Sequence, residues 1–128
     1  MKFYQDNIEE ATLENEDFRR VLFTGDHAQL VLMAIGPGEE IGQEVHDNVD
    51  QFFRFEAGEG KIIIEGEEIM VGDGDAVIVP AGAEHNIINL SISEKLKLYT
   101  IYSPPNHPDG TVHKNKAEAD KYEEGHHH

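Results

Sequence analysis

From Phe18 to Tyr102 the chain repeats one cadence: a short run of alternating apolar residues, then a cluster of turn-forming Gly, Pro, Asp or Asn. Period two places successive side chains on opposite faces of a strand, so this pattern predicts an all-β domain of short antiparallel strands, roughly eight in number. Phe18–Thr24 and Gln29–Ile35 flank Gly25-Asp26-His27 and read as a hairpin. Gly36-Pro37-Gly38 then breaks the pattern, because proline lacks the ladder donor and glycine permits positive φ. Further strands are predicted at Glu44–His46, Gln51–Glu56, Lys61–Glu65, Glu68–Val71, Asp75–Val79, His85–Leu90 and Lys95–Tyr102. Regular spacing of this kind suggests a sandwich or barrel.

The flanks differ. Asn7–Asp17 is acidic and reads as a short helix or an irregular arm, and Lys116–Glu123 as a short mobile helix anchored only by Ala117, Ala119 and Tyr122. A chain of 128 residues has room for one core of ordinary size, so residues 1–125 are expected to form a single domain, with its barrel at about 18–103. His126, His127 and His128 follow Glu124-Gly125 and read as the remnant of a purification tag.

Ten Lys and Arg against 26 Asp and Glu give a net charge of -16, which repels phosphate backbones and anionic lipid. Nucleic acid and membrane surfaces are therefore not expected partners. No apolar run approaches the ~20 residues of a spanning helix, and Met1–Glu10 lacks the basic-then-apolar order of a signal peptide, so a cytoplasmic location is the default. With no cysteine, the chain has neither disulfides nor a thiolate nucleophile, and any metal site must use imidazole, carboxylate and amide.

Those groups cluster. Glu44 and His46 are two apart, so in a strand they point together into one cavity, and Gln51 joins them from the next strand. His85 supplies a fourth donor. Phe53 and Phe55 share the face of Gln51, and Ile87 and Asn89 share that of His85, so all four are expected to line the cavity. Either histidine alone reads more readily as a surface or core residue, and the glycines and Pro80 are structural first; the joint register of both runs is the signal.

That register places Gly38, Glu44, His46, Gln51 and Gly58 in one run and Gly74, Pro80, Gly82, His85 and Asn89 in a second. The two runs resemble the paired motifs of the cupin superfamily over roughly Gly38–Asn89. Glu44 stands where the first histidine of that family usually is, and Gln51 where its glutamate usually is. The resemblance implies a small antiparallel β-barrel of jelly-roll type, with one divalent transition metal (Fe, Mn, Ni, Co or Zn) held by Glu44, His46, Gln51 and His85. Imidazole, carboxylate and amide oxygen all bind such ions. It also implies a small-molecule ligand and a homodimer, for which Phe3, Tyr4 and Ile8 are the suggested contacts.

Catalytic candidates are Tyr102, His107 and His113. Tyr102 alternates with Thr100 on the last strand and reads as core packing or as a hydroxyl near an open metal position. His107 and His113 lie in the exit segment Ser103–Lys114, which reads as a solvated loop or as a cover over the barrel mouth. The family resemblance implies a metal-dependent isomerase of a sugar or sugar acid, mannose-6-phosphate isomerase-like by analogy, with an iron-dependent oxygenase or a non-enzymatic binding or sensing module as alternatives. Cations are scarce near the motifs: only Arg54 and Lys61 lie between Gly38 and Asn89, and alternation turns Arg54 away from Phe53 and Phe55. No phosphate clamp is expected.

Overall fold

The computed structural model describes residues 1–125; the tag reading of His126–His128 lies outside the described residues. In chain order the elements are α1 (Ile8–Glu14), β1 (Arg19–Thr24), β2 (Gln29–Ile35), β3 (Asp50–Ala57), β4 (Glu59–Ile64), β5 (Glu67–Gly72), β6 (Ala76–Val79), β7 (His85–Asn89), β8 (Leu96–Ser103), β9 (Val112–His113) and α2 (Lys116–Gly125). All strand pairs are antiparallel. They form a six-stranded sheet in the order β6-β3-β8-β2-β1-β9 and a three-stranded sheet in the order β5-β4-β7. The architecture is an all-β jelly roll of two sheets, without a closed hydrogen-bonded barrel, carrying one short helix at each end.

The core lies between the sheets and follows from the alternation. Val31, Met33, Ile35, Phe53, Phe55, Leu96 and Leu98 come from the larger sheet, Ile62 and Ile87 from the smaller, and none is more than 1% exposed. Each such side chain contributes about 1.5–3 kcal/mol by leaving water, which is why strands too short to persist alone are stable here. Two glycines are required by geometry. Gly58 joins β3 to β4 at φ 97°, where a Cβ would stand 2.7 Å from the Lys95 carbonyl oxygen. Glu65 and Gly66, both at positive φ, form the two-residue turn between β4 and β5, one position before the expected Gly66-Glu67.

Three expectations are corrected. Glu44–His46 is not a strand; it makes one isolated bridge, Glu44 to His85. The turn at Asp47-Asn48 carries the chain away directly afterwards, so no ladder follows that bridge. The exit segment is not a free loop, since it contains β9, which pairs Val112 and His113 with Arg20 and Arg19. Of the expected anchors of α2, Ala119 is buried, at 3% exposed, whereas Ala117 faces solvent.

Helix α1 is capped by Asn7, whose side chain accepts from the Glu10 N–H at 2.9 Å. It rests against β8, β3 and β2, and the Lys97 ammonium donates to the Leu13 carbonyl at its C-terminal end. Ahead of it, Tyr4 packs on Phe23 with ring centroids 6.3 Å apart, while Phe3 is 82% exposed. No helix among the described residues is long and apolar enough to cross a membrane.

Candidate metal centre

The site begins with the backbone. Residues 39–44 run antiparallel beside β7: the Asn89 N–H donates to the Glu39 carbonyl, Ile41 N–H to Ile87, and Glu44 and His85 exchange both N–H···O bonds, at 2.8 and 2.9 Å. Residues that exchange both bonds stand directly opposite, and their side chains leave from the same face. That reciprocal pair places the Glu44 carboxylate beside the His85 imidazole without help from either side chain. Gly82, at φ 86°, donates its N–H to the His46 carbonyl at 2.8 Å and fixes the turn before β7 against the third residue.

Glu44, His46 and His85 consequently offer ligand atoms that all lie within 4.8 Å of one another. The Glu44 Oε1 to His46 Nε2 separation is 3.8 Å, too long for a hydrogen bond. Gln51 enters from β3, where it pairs across to Tyr102 and Val79. It is 2% exposed, and its amide N–H donates to the Thr100 hydroxyl at 3.0 Å.

Chemistry then fixes which atoms are available. The His85 Nδ1 lies 3.0 Å from the Ala83 carbonyl, which can only accept, so Nδ1 carries the proton and Nε2 presents a lone pair. A backbone carbonyl in this role orients metal-binding histidines generally. His46 Nε2, His85 Nε2 and Gln51 Oε1 are all buried without a hydrogen-bond partner. Buried acceptors left unsatisfied cost about 1–3 kcal/mol each. The two imidazoles beside the Glu44 carboxylate form a mixed nitrogen and oxygen donor set that fits a divalent first-row ion.

The electrostatics are uneven. Burial by itself would raise the Glu44 carboxyl, but neighbouring His46, then Arg19 and His85, hold it below the usual range, so Glu44 is an anion. Burial raises the Tyr102 phenol, which therefore stays neutral. His107 is pushed down to about 3, first by burial and then by the Arg19 charge. Tyr102 packs edge-on against both His46 and His107, with centroids at 5.9 and 5.0 Å, and its hydroxyl is 3.2 Å from the His107 Nε2.

Other residues fall differently from expectation. His113, 6% exposed, is buried in β9, where its Nδ1 accepts from an Arg19 N–H at 3.1 Å, and it stays off the metal ligands. Asn89 does not line the cavity: its amide donates to the Ile35, Gly36 and Glu94 carbonyls, at 2.9, 3.0 and 2.9 Å, and clamps the far end of β7. The length of that strand separates it from His85. Arg54 pairs with Glu56 at 3.0 Å. The residue missed by sequence reasoning is Arg19, only 3% exposed, whose charge acts on Glu44, Tyr102, His107 and His113. Its inward parity with Val21 was the available signal, and it lies outside the Gly38–Asn89 window. Above the centre opens a cleft of about 980 Å³ lined by Gly42, Glu44, His46, His107, Lys116 and Tyr122, so the exit segment and α2 form its wall.

Comparison with known proteins agrees with this architecture. The chain is 51% identical over 120 residues to the uncharacterized protein YrkC of Bacillus subtilis (strain 168), covering 88% of this chain and 63% of that one. It thus spans less than two thirds of that relative's length. It is 43% identical over 113 residues to an uncharacterized protein of Acanthamoeba polyphaga mimivirus, covering 85% and 70% of the two chains. A crystal structure of a Bacillus halodurans protein superposes with a TM-score of 0.91 at 44% identity, over 94% of this chain and 95% of that one. Residues 31–102, which run from β2 through the two motif runs to Tyr102, match the family described as Cupin domain, and the chain belongs to the cupin family.

Proposed function

We propose that residues 1–125 form one cupin domain that binds a divalent transition metal through Glu44, His46, Gln51 and His85 and acts on a small polar metabolite, a sugar or sugar acid, by proton transfer. The observation that carries this reading is the convergence of the Glu44 carboxylate with two buried, partnerless imidazole nitrogens, on His46 and His85, while the Gln51 oxygen is likewise buried and partnerless. When bound, such an ion supplies Lewis acidity toward substrate oxygens. The chain's own residues supply the rest. The Thr100 hydroxyl holds the Gln51 amide so that its oxygen stays free, and the Ala83 carbonyl holds His85 in the tautomer that leaves Nε2 free. Tyr102 keeps its proton because of burial, and its hydroxyl meets the neutral His107 Nε2 at 3.2 Å. Both groups are thus neutral hydrogen-bonding partners that orient a substrate oxygen at the cleft. The walls formed by the exit segment and α2 limit the ligand to a small molecule.

The test removes the terminal histidines, which bind nickel, and measures metal content by elemental analysis together with deuterium uptake from solvent into sugar acids by NMR. Stoichiometric metal with carbon-bound exchange, both lost in His46→Ala, is the expected result. Stoichiometric metal without exchange would instead favour a ligand-binding or sensing role, and oxygen consumption with iron would favour an oxygenase.

A further inference from the structure

Arg19 is an anomaly in a chain of net charge -16: it is 3% exposed, and among the described residues no carboxylate lies within ion-pair distance of it. One Nη donates to His113 Nδ1 at 3.1 Å, the guanidinium carbon lies 5.4 Å from the Phe18 ring centroid, and the buried Nε–H has no partner. Burying an unpaired charge costs several kcal/mol, an expense that a neutral imidazole and a ring face offset only in part. A plain packing role would be served at lower cost by Met or Leu.

Its position is informative. Arg19 faces inward from β1, in a ladder row with Met33. Its partner His113 packs against Tyr122 with ring centroids 5.1 Å apart and tilted by 46°, and Tyr122 lines the same cleft as Glu44, His46 and His107. With a divalent ion, the carboxylates Glu44, Asp120 and Glu123 against Lys116 and Arg19 leave a formal charge of about +1 around this cleft, which a neutral guest does not relieve.

We propose that Arg19 is an oxyanion receptor of the metal centre, its Nε edge receiving the carboxylate or phosphate of a substrate whose other oxygens reach the ion. This deepens the proposed function and rests on that reading for the metal, but not for the anion. An Arg edge donates two parallel N–H groups, a geometry that matches either oxyanion. His113 becomes a positioning residue that holds the guanidinium from its other side.

The experiment titrates the tag-free full chain, metal-stripped and metal-loaded, with acetate, glycolate and inorganic phosphate by calorimetry, and follows the arginine Nε–H resonances by NMR. Saturable binding in both forms is expected, with the Arg19 resonance moving most. Arg19→Gln should weaken it at least about tenfold, and Arg19→Lys should retain part of it, being a point charge without the fork. Tighter glycolate than phosphate assigns a carboxylate substrate, and the reverse a phosphate ester. Metal affinity of Arg19→Gln should stay equal or rise, since a like charge is removed. Anion affinity unchanged in a folded Arg19→Gln, or an unmoved Arg19 resonance while anions bind, overturns the proposal; so does the absence of any binding by about 10 mM, an affinity too weak for a built receptor. Arg19-dependent anion binding in a chain that takes no metal would overturn the metal reading alone.

Discussion

His107 should make the metal-free protein lose stability as the solution is acidified. Its imidazole is held down to about 3 by burial and then by Arg19, with Glu44 opposing and His46 and His113 reinforcing the effect, and the Tyr102 hydroxyl contacts its Nε2. In the unfolded chain the same group titrates near about 6.5. Between these values the unfolded state binds the extra proton, so stability rises with pH and is lost as pH falls below about 6.5, at up to ~1.4 kcal/mol per unit. Going from pH 7 to pH 5 should therefore cost about 2 kcal/mol through this residue alone. His107→Gln, urea-unfolded at both pH values with chelator present, should lack that increment, while other titrating groups act on both proteins alike. The quantity to compare is the difference of differences, which cancels any constant cost of the substitution. Equal pH dependence in wild type and variant would refute the burial of a neutral imidazole beneath the cleft.

Gln51→Glu should bind metal more tightly through the added negative charge and bind small carboxylates more weakly, so the two affinities move oppositely in calorimetric titrations. Gly58→Ala should destabilise by at least about 2 kcal/mol in urea unfolding, since φ 97° and a Cβ 2.7 Å from the Lys95 carbonyl compound each other. Sedimentation at micromolar concentration should give a homodimer weakened by deleting Met1–Asn7, because Phe3 is exposed beside the Tyr4–Phe23 contact; a monomer would remove the idea.

Legibility in the sequence tracked how local each determinant is. The hairpin β1–β2 and the register from Gly38 to Asn89 were readable because alternation and turn residues operate over a few positions. Arg19 was passed over although it shares the inward parity of Val21, because it lies outside the Gly38–Asn89 window and its partner sits in a strand of two residues, too short to show any period. His113 was hidden for the same reason. Asn89 was assigned to the cavity by parity alone, which fixes a side chain's face but not how far along the strand it sits. The Glu44–His46 segment kept its two-residue spacing while losing the strand, because one bridge to β7 is enough to orient it.

The reciprocal Glu44–His85 backbone exchange has an evolutionary and engineering corollary. Because the carbonyl and amide groups do the aligning, the two positions act as sockets, and whatever side chains occupy them will be presented side by side. The donor at either position can therefore be exchanged by point substitution without redrawing the chain path. The same independence makes Glu44→His a sensible first step in redirecting this scaffold toward a different ion.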